Sequence, residues 1–150
     1  MASRKILVET DFLFGLREKD KLHSQVLKIL NMHKRGEIEV QVLSSALLEA
    51  RVVLYSEGFD PKVIMEIIEL METILLEYDI NTYVPILPVD IIIAENLRIK
   101  NDKLGFFDSL HAAISMRTGI PLLSSDKIYD EIPIKRINLL SPKFNPSNIT

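Results

Sequence analysis

Short apolar runs alternate along the chain with longer stretches in which apolar side chains recur every three or four residues. The short runs predict buried strands, at residues 5–9, 37–43, 120–123 and 134–139. The longer stretches predict amphipathic helices, at residues 20–36, 44–56, 61–77, 90–103 and 108–119. Because strands separated by helices pair in parallel, the pattern predicts an α/β fold. We expect a three-layer αβα sandwich with a central, mainly parallel sheet of four to five strands.

Two further segments and the helix starts complete this pattern. Residues 12–16 predict one turn of helix after Thr10 and Asp11, which offer a cap. Residues 83–89 predict an extended segment, and their prolines favour an edge position or a very short strand. Polar side chains mark the remaining helix starts as N-caps, at Asp20, Ser44, Ser45, Asp60 and Asp90.

Composition and charge restrict the classes of protein. A chain of 150 residues, 47% hydrophobic and 26% charged, fits one globular domain. We expect that domain at residues 1–141, followed by a frayed tail at 142–150, which is rich in Pro, Asn and Ser. The net charge of −3 argues against binding nucleic acid by bulk attraction. With no cysteine, disulfides and thiolate metal sites are excluded.

The sequence also bears on location. The N-terminus leads straight into the first predicted strand and has no signal-peptide core. Apolar runs fall short of the roughly 20 residues that a membrane span needs. We therefore expect a soluble cytoplasmic protein with no membrane partner.

Four carboxylates come from distant parts of the chain and are expected to meet. Glu9 and Asp126 follow the carboxyl ends of predicted strands, and Glu49 and Asp108 lie near helix starts. In open α/β sheets these positions face one edge, outside the carboxyl ends of the strands, where ligands bind. Asp108 has small residues on its helix face, among them Ala112 and Ser115, so it should be partly buried.

Carboxylates this close raise one another's pKa unless a cation compensates their charge. A cluster of oxygen ligands suits a hard cation, Mg²⁺ or Mn²⁺, which can activate water and neutralise charge on a phosphate. Each residue also has a plainer interpretation. Glu9 could be a solvated strand end, Asp11 a helix cap, and Asp126 a turn residue, while His111 is more often a core or rim histidine than a ligand.

Four short motifs resemble those of the PIN-domain family. These are Leu7–Leu13, Leu43–Glu49, Phe107–Ala113 and Leu123–Asp126, and the resemblance covers about residues 5–138. It implies a PIN-like fold with an acidic pocket for Mg²⁺ or Mn²⁺ and metal-dependent hydrolysis of RNA phosphodiesters. The chain is similar in size to VapC-type toxins, which implies a homodimer and a small antitoxin partner.

The resemblance also implies roles for individual residues. Catalysis and metal binding fall to the four acids, Glu9, Glu49, Asp108 and Asp126. Asp11 and Ser124 occupy supporting positions, and Lys127, beside Asp126, is a possible phosphate contact. The main departure from the family pattern is Glu9, where the family normally has Asp. A glutamate side chain is one methylene longer than an aspartate.

That departure leaves two other functions open. A catalytically impaired PIN domain would serve as an RNA-binding or interaction module. A Mg²⁺-dependent phosphatase of another α/β family would instead use Glu9 and Asp11 at the end of the first strand.

Overall fold

A computed structural model describes residues 4–140 of the chain. It contains one five-stranded parallel sheet flanked by helices, which confirms the predicted αβα sandwich. The strands are β1 (Arg4–Val8), β2 (Ile38–Leu43), β3 (Tyr83–Val84), β4 (Leu122–Ser124) and β5 (Arg136–Asn138). The helices are α1 (Thr10–Phe14), α2 (His23–Lys34), α3 (Ser44–Ser56), α4 (Pro61–Glu77), α5 (Pro88–Lys100) and α6 (Phe106–Thr118). A 3-10 turn, Lys127–Glu131, links β4 to β5.

The sheet has the strand order β3-β2-β1-β4-β5, with β1 at its centre. Ile6, Leu7 and Val8 of β1 are fully buried, because strands lie on both sides of β1 and helices cover the sheet. β3 has two residues and lies at the edge, as the prolines around it predicted. Since β2, β1 and β4 are parallel neighbours, the residues that follow them come together at one edge of the sheet.

Several helix starts differ from the prediction. α5 begins at Pro88 rather than after Asp90, because the fixed φ of proline suits the first helical position. Asp90 lies one turn inside and accepts the N–H of Leu87 at 2.7 Å. Likewise, Asp20 accepts the N–H of Leu22 at 2.8 Å, and α2 begins only after Leu22. The predicted cap at Asp60 is correct, since its side chain accepts the N–H of Val63 at 3.0 Å.

The start of α3 differs in a way that affects the site. β2 runs directly into α3, so Leu43 is the N-cap and Ser44 and Ser45 are already helical. At the end of β1, Glu9 is the N-cap of α1, and the predicted caps Thr10 and Asp11 lie within the first turn. These polar side chains are therefore free to contact other elements.

The remaining predictions concern a helix surface and the chain ends. The apolar stripe of α4 packs on the core through buried Ile64, Met71 and Leu75. The proposed domain limit at residue 141 stays a prediction, and the tail at 142–150 lies outside the described residues. Among residues 4–140, no helix has the length and apolar character to cross a membrane.

Candidate active site

Glu9 occupies the centre of the acidic edge. It directly follows β1, and the residue is only 5% exposed. The Ser124 hydroxyl donates to Oε1 at 3.4 Å, and the Tyr129 hydroxyl donates to Oε2 at 3.0 Å. The glutamate side chain is thus held by the hydroxyl of the last residue of β4 and by a hydroxyl of the 3-10 turn that follows this strand.

Tyr129 also reaches a second carboxylate. Its hydroxyl lies 3.2 Å from Oδ1 of Asp108, on the first turn of α6. Burial and the charges of Glu9 and Asp108 raise the pKa of Tyr129 far above its usual value, so the phenol keeps its proton. The proton of this hydroxyl therefore lies between two carboxylates.

One histidine, His111, contacts both Glu49 and Glu9. His111 of α6 is 0% exposed, and its Nε2 lies 3.3 Å from Oε1 of Glu49 and 3.9 Å from Oε2 of Glu9. Its Nδ1 lies 2.8 Å from Oγ of Ser45. The Ser45 side chain, predicted to cap α3, binds this imidazole instead.

The pKa shifts follow from burial and mutual repulsion. Burial raises the pKa of Glu9 well above its usual value, and the neighbouring Asp11 adds to that effect. Burial, Glu49 and Asp126 together raise the pKa of Asp108. Burial pushes the pKa of Glu49 upward, but hydrogen bonding from His111 and Thr10 outweighs it, so that pKa is lowered. Burial and mutual repulsion thus disfavour the charged forms of Glu9 and Asp108.

The other predicted residues border this cluster. Asp126 is exposed, and its Oδ1 accepts the N–H of Ile128 at 2.9 Å, while its charge acts on Asp108. Oδ2 of Asp11 accepts the backbone N–H of Ser125 at 2.8 Å and its hydroxyl at 2.7 Å. Ser124, besides bonding Glu9, accepts the N–H of Asp126 at 3.0 Å. The structure therefore brings Glu9, Glu49 and Asp108 together and places Asp126 at the rim.

Lys127 is exposed beside this rim. The hydrogen bond from Arg136 lowers the pKa of Asp130, and the charge of Lys127 adds a small part to that effect. Lys127 follows Asp126 directly, so a phosphate entering from the rim could reach it. Its predicted role as a phosphate contact stays a prediction.

The donor set fits a divalent cation. Ligand atoms of Glu9, Glu49 and His111 all lie within 4.8 Å of one another. Within residues 4–140, two buried oxygens in the same region complete no hydrogen bond of regular geometry, Oδ1 of Asp11 and Oγ1 of Thr10. Carboxylate and imidazole groups are common metal ligands, and buried polar atoms without partners indicate a missing ligand, ion or water.

Sequence reasoning missed two organising side chains. No sequence pattern marks Tyr129 as part of the site. Its hydroxyl reaches Glu9 because the 3-10 turn after Asp126 brings it back toward the end of β1. The sequence places His111 one turn after Asp108 and predicts a core or rim histidine there. The structure places it in the core and, at the same time, against two glutamates.

Comparison with known proteins identifies the family. The PIN domain family model matches residues 6–135. The chain belongs to the PIN domain family. The four motifs that resemble PIN sequences lie within or adjoin the matched range, and the PIN-like sandwich agrees with the observed fold. No curated protein matches the sequence.

Solved structures agree with the PIN assignment. VapBC2 from Rickettsia felis, bound to a DNA fragment from its promoter, is similar with a TM-score of 0.65 at 14% identity, over 89% of this chain and 98% of that one. VapC20 from Mycobacterium tuberculosis, a Sarcin-Ricin loop cleaving toxin, gives a TM-score of 0.64 at 15% identity, over 86% and 95% of the two chains. FitAcB from Neisseria gonorrhoeae gives 0.64 at 16% identity, over 89% and 97%. At these identities the likeness establishes the PIN fold.

Proposed function

We propose that this PIN domain is a metal-dependent endoribonuclease that hydrolyses RNA phosphodiester bonds. One observation supports the proposal: the carboxylates of buried Glu9 and of half-buried Glu49 and Asp108 converge around the Tyr129 hydroxyl and the His111 imidazole. PIN domains are typically nucleases, which supports hydrolysis of a nucleic acid over other phosphate chemistry.

The residues divide into ligands and supports. Glu9, Glu49 and Asp108 would hold Mg²⁺ or Mn²⁺, with Asp126 completing the site at the rim. Such an ion, when bound, activates water and neutralises charge that develops on the phosphate. Ser124 and Tyr129 hold Glu9 through its two oxygens, and Ser125 holds Asp11.

The form of the site favours a flexible substrate. Glu9 is buried, while Asp126 and Lys127 beside the cluster are exposed, so we expect a phosphate to enter from this side. Single-stranded or looped RNA can bend a phosphate into such a pocket, while a regular duplex holds its phosphates on a rigid helix. Lys127 would meet the phosphate at the entrance.

The same proposal includes protein partners. Structural neighbours include VapBC and FitAB antitoxin complexes, which supports a role as the toxin of a toxin–antitoxin pair, in the cytoplasm. A homodimer is supported by large apolar side chains on the outer surface of α5, where Ile92 is 69% and Ile99 is 84% exposed. Burying such side chains against a second copy would remove them from water.

The deciding experiment measures cleavage of labelled single-stranded RNA with Mg²⁺ or Mn²⁺. We expect cleavage by the wild type, and its loss with EDTA or with Asp108→Asn. Asp102→Asn is the matched control, because Asp102 is an exposed aspartate in the loop before α6 and should leave cleavage unchanged. RNA binding by both variants must also be measured, so that a loss of cleavage can be assigned to the hydrolysis step and not to weaker binding.

Other outcomes would favour other functions. Glu9 is the departure from the family pattern, and its tight hold by Ser124 and Tyr129 favours an impaired module as the second candidate. Binding of RNA without cleavage under Mn²⁺ would support that module and contradict the nuclease. Turnover of small phosphate esters with RNA left intact would support a phosphatase.

A further inference from the structure

His111 is placed unlike the other two histidines of the chain. His33 has backbone partners on both ring nitrogens, the carbonyl of Asp79 at 3.1 Å and the N–H of Val40 at 3.0 Å. His23 lies 3.0 Å from the carbonyl of Gly15. His111 instead presents one nitrogen to two carboxylates and the other to a buried hydroxyl. An imidazole nitrogen and carboxylate oxygens that face one another are a combination of ligand types that transition-metal sites use.

The distances around Nε2 of His111 are close to those within one coordination shell. Two atoms bound to the same ion at about 2.1 Å lie about 3.0 to 3.4 Å apart. Oε1 of Glu49 lies 3.3 Å from Nε2, which falls in that range. Oε2 of Glu9 lies 3.9 Å away, so a small rotation of this side chain would bring it into the same shell. One ion could therefore contact all three side chains.

The second nitrogen of His111 has the partner that a metal-binding imidazole needs. When Nε2 binds a cation, Nδ1 carries the ring proton and donates it to an acceptor, which fixes the ring orientation. The Ser45 hydroxyl lies 2.8 Å from Nδ1 and is itself fully buried. A hydroxyl can accept this proton as well as donate its own, so the contact suits a ring with or without a bound ion.

A further observation points to a ligand at the same place. Thr10 is 7% exposed, and its hydroxyl faces Glu49 closely enough to lower the pKa of that carboxyl. Within the described residues, Oγ1 of Thr10 nevertheless completes no hydrogen bond of regular geometry. A buried hydroxyl in that condition calls for a further partner, such as an ion or a water.

We propose that His111 is a direct nitrogen ligand of the divalent ion, so that this centre favours a transition-metal ion such as Mn²⁺ over Mg²⁺. The inference rests on the proposed function only for the presence of an ion. Imidazole suits transition metals, whereas Mg²⁺ takes oxygen ligands in near-ideal octahedral geometry. Replacing one carboxylate oxygen by a nitrogen therefore shifts the preference of the site.

The test uses the full-length protein loaded with Mn²⁺ and examined by pulsed electron paramagnetic resonance. A bound imidazole gives a ¹⁴N coupling to the Mn²⁺ electron spin, and labelling the histidines with ¹⁵N must change it. We expect this coupling in the wild type and in His23→Gln, and its loss in His111→Gln. Bound Mn²⁺ without a nitrogen coupling in the wild type would overturn the proposal, because a histidine that only pairs with the glutamates gives none.

A second measurement guards against a variant that fails to fold, since His111 is buried. Calorimetric titration of wild type and Ser45→Ala measures affinity for Mn²⁺ and Mg²⁺. Loss of a partner of a metal-bound histidine costs about 10- to 100-fold in affinity, and we expect that loss for Mn²⁺ but little change for Mg²⁺. Equal losses for the two ions, or equal affinities in the wild type, would contradict the nitrogen ligand.

This outcome is separable from that of the proposed function. RNA cleavage by the wild type without a nitrogen coupling would support the proposed nuclease function and contradict the proposal that His111 is a metal ligand. A nitrogen coupling without RNA cleavage would retain the ligand and remove the nuclease.

Discussion

Two buried carboxylates of this protein have opposite surroundings. Asp90 is 0% exposed, and its carboxylate accepts hydrogen bonds from Nε of Arg117 at 2.6 Å and from the N–H of Leu87 at 2.7 Å. Arg117 also donates to the carbonyl of Pro85. Glu9, 5% exposed, is faced by two hydroxyls, a histidine and further carboxylates. The protein supplies a permanent counter-ion to the first carboxylate, and none of the neighbours just named for Glu9 is a permanent cation.

The difference separates a structural charge from a functional one. A buried carboxylate paired with an arginine and a backbone N–H is satisfied by the fold alone. A buried carboxylate among other carboxylates raises its own pKa or binds a cation. Asp90 therefore fixes the start of α5, whereas we propose that Glu9 binds a cation. Four substitutions or titrations test this contrast.

The largest effect is expected from removing the counter-ion of Asp90. Arg117→Met leaves a buried carboxylate unpaired, which should lower the free energy of unfolding by about 3 kcal/mol. Arg98→Met is the matched control, because Arg98 pairs with Glu95 on the surface and such pairs contribute at most about 1 kcal/mol. Urea unfolding measures both. Equal small losses would mean that the Asp90 pair is not structural.

Tyr129→Phe tests the hydroxyl that Glu9 and Asp108 share. Removing a donor to charged groups should cost about 2 kcal/mol in metal-free protein. It should cost less when Mn²⁺ saturates the site, because the cation then balances both carboxylates. Tyr55→Phe, at an exposed tyrosine, is the control. Urea unfolding measures the loss. If Tyr129→Phe lowers the free energy of unfolding equally with and without the ion, the Tyr129 hydroxyl does not stabilise the charged carboxylates.

Glu9→Gln should have the opposite sign. A neutral side chain of the same size relieves the repulsion that raises the pKa of Glu9. In metal-free protein at neutral pH it should raise the free energy of unfolding, because the neutral amide is not repelled by the neighbouring carboxylates. Stabilisation by divalent ions should disappear in the same variant. Destabilisation of metal-free protein, measured by urea unfolding, would show that Glu9 is structural.

The dependence on pH gives the smallest and most specific signal. A carboxyl whose pKa is raised in the folded state binds its proton more tightly there than in the unfolded chain. Its contribution to stability is therefore full below the unfolded pKa, 4.5 for Glu9 and 3.8 for Asp108, and is lost as pH rises through the raised values. The stability gained from Glu9→Gln should grow over this window. Urea unfolding across the pH range measures it, and a constant difference would contradict the assigned shift.

Some of the fold and site could be predicted from sequence because the signals are local. Alternating runs and helices defined the parallel sheet, and the strand ends placed Glu9 and Asp126 at one edge. The predicted start of α5 is wrong, because the pattern indicates Asp90 as a cap although the helix begins at Pro88. Tyr129 and Ser45 could not be predicted, because their contacts join residues 120 and 66 positions apart. Periodicity carries no information about such pairs.

The most direct test of the central claim is the free energy of unfolding measured against Mn²⁺ concentration. At 100 times the dissociation constant, an ion that binds only the folded state stabilises it by about 2.7 kcal/mol. We predict that gain for the wild type and for Arg117→Met, and its absence in Glu9→Gln and Asp108→Asn. Wild-type stability that does not change with Mn²⁺ or Mg²⁺, or an equal gain in all four proteins, would contradict the claim that Glu9 and its neighbours form a cation site.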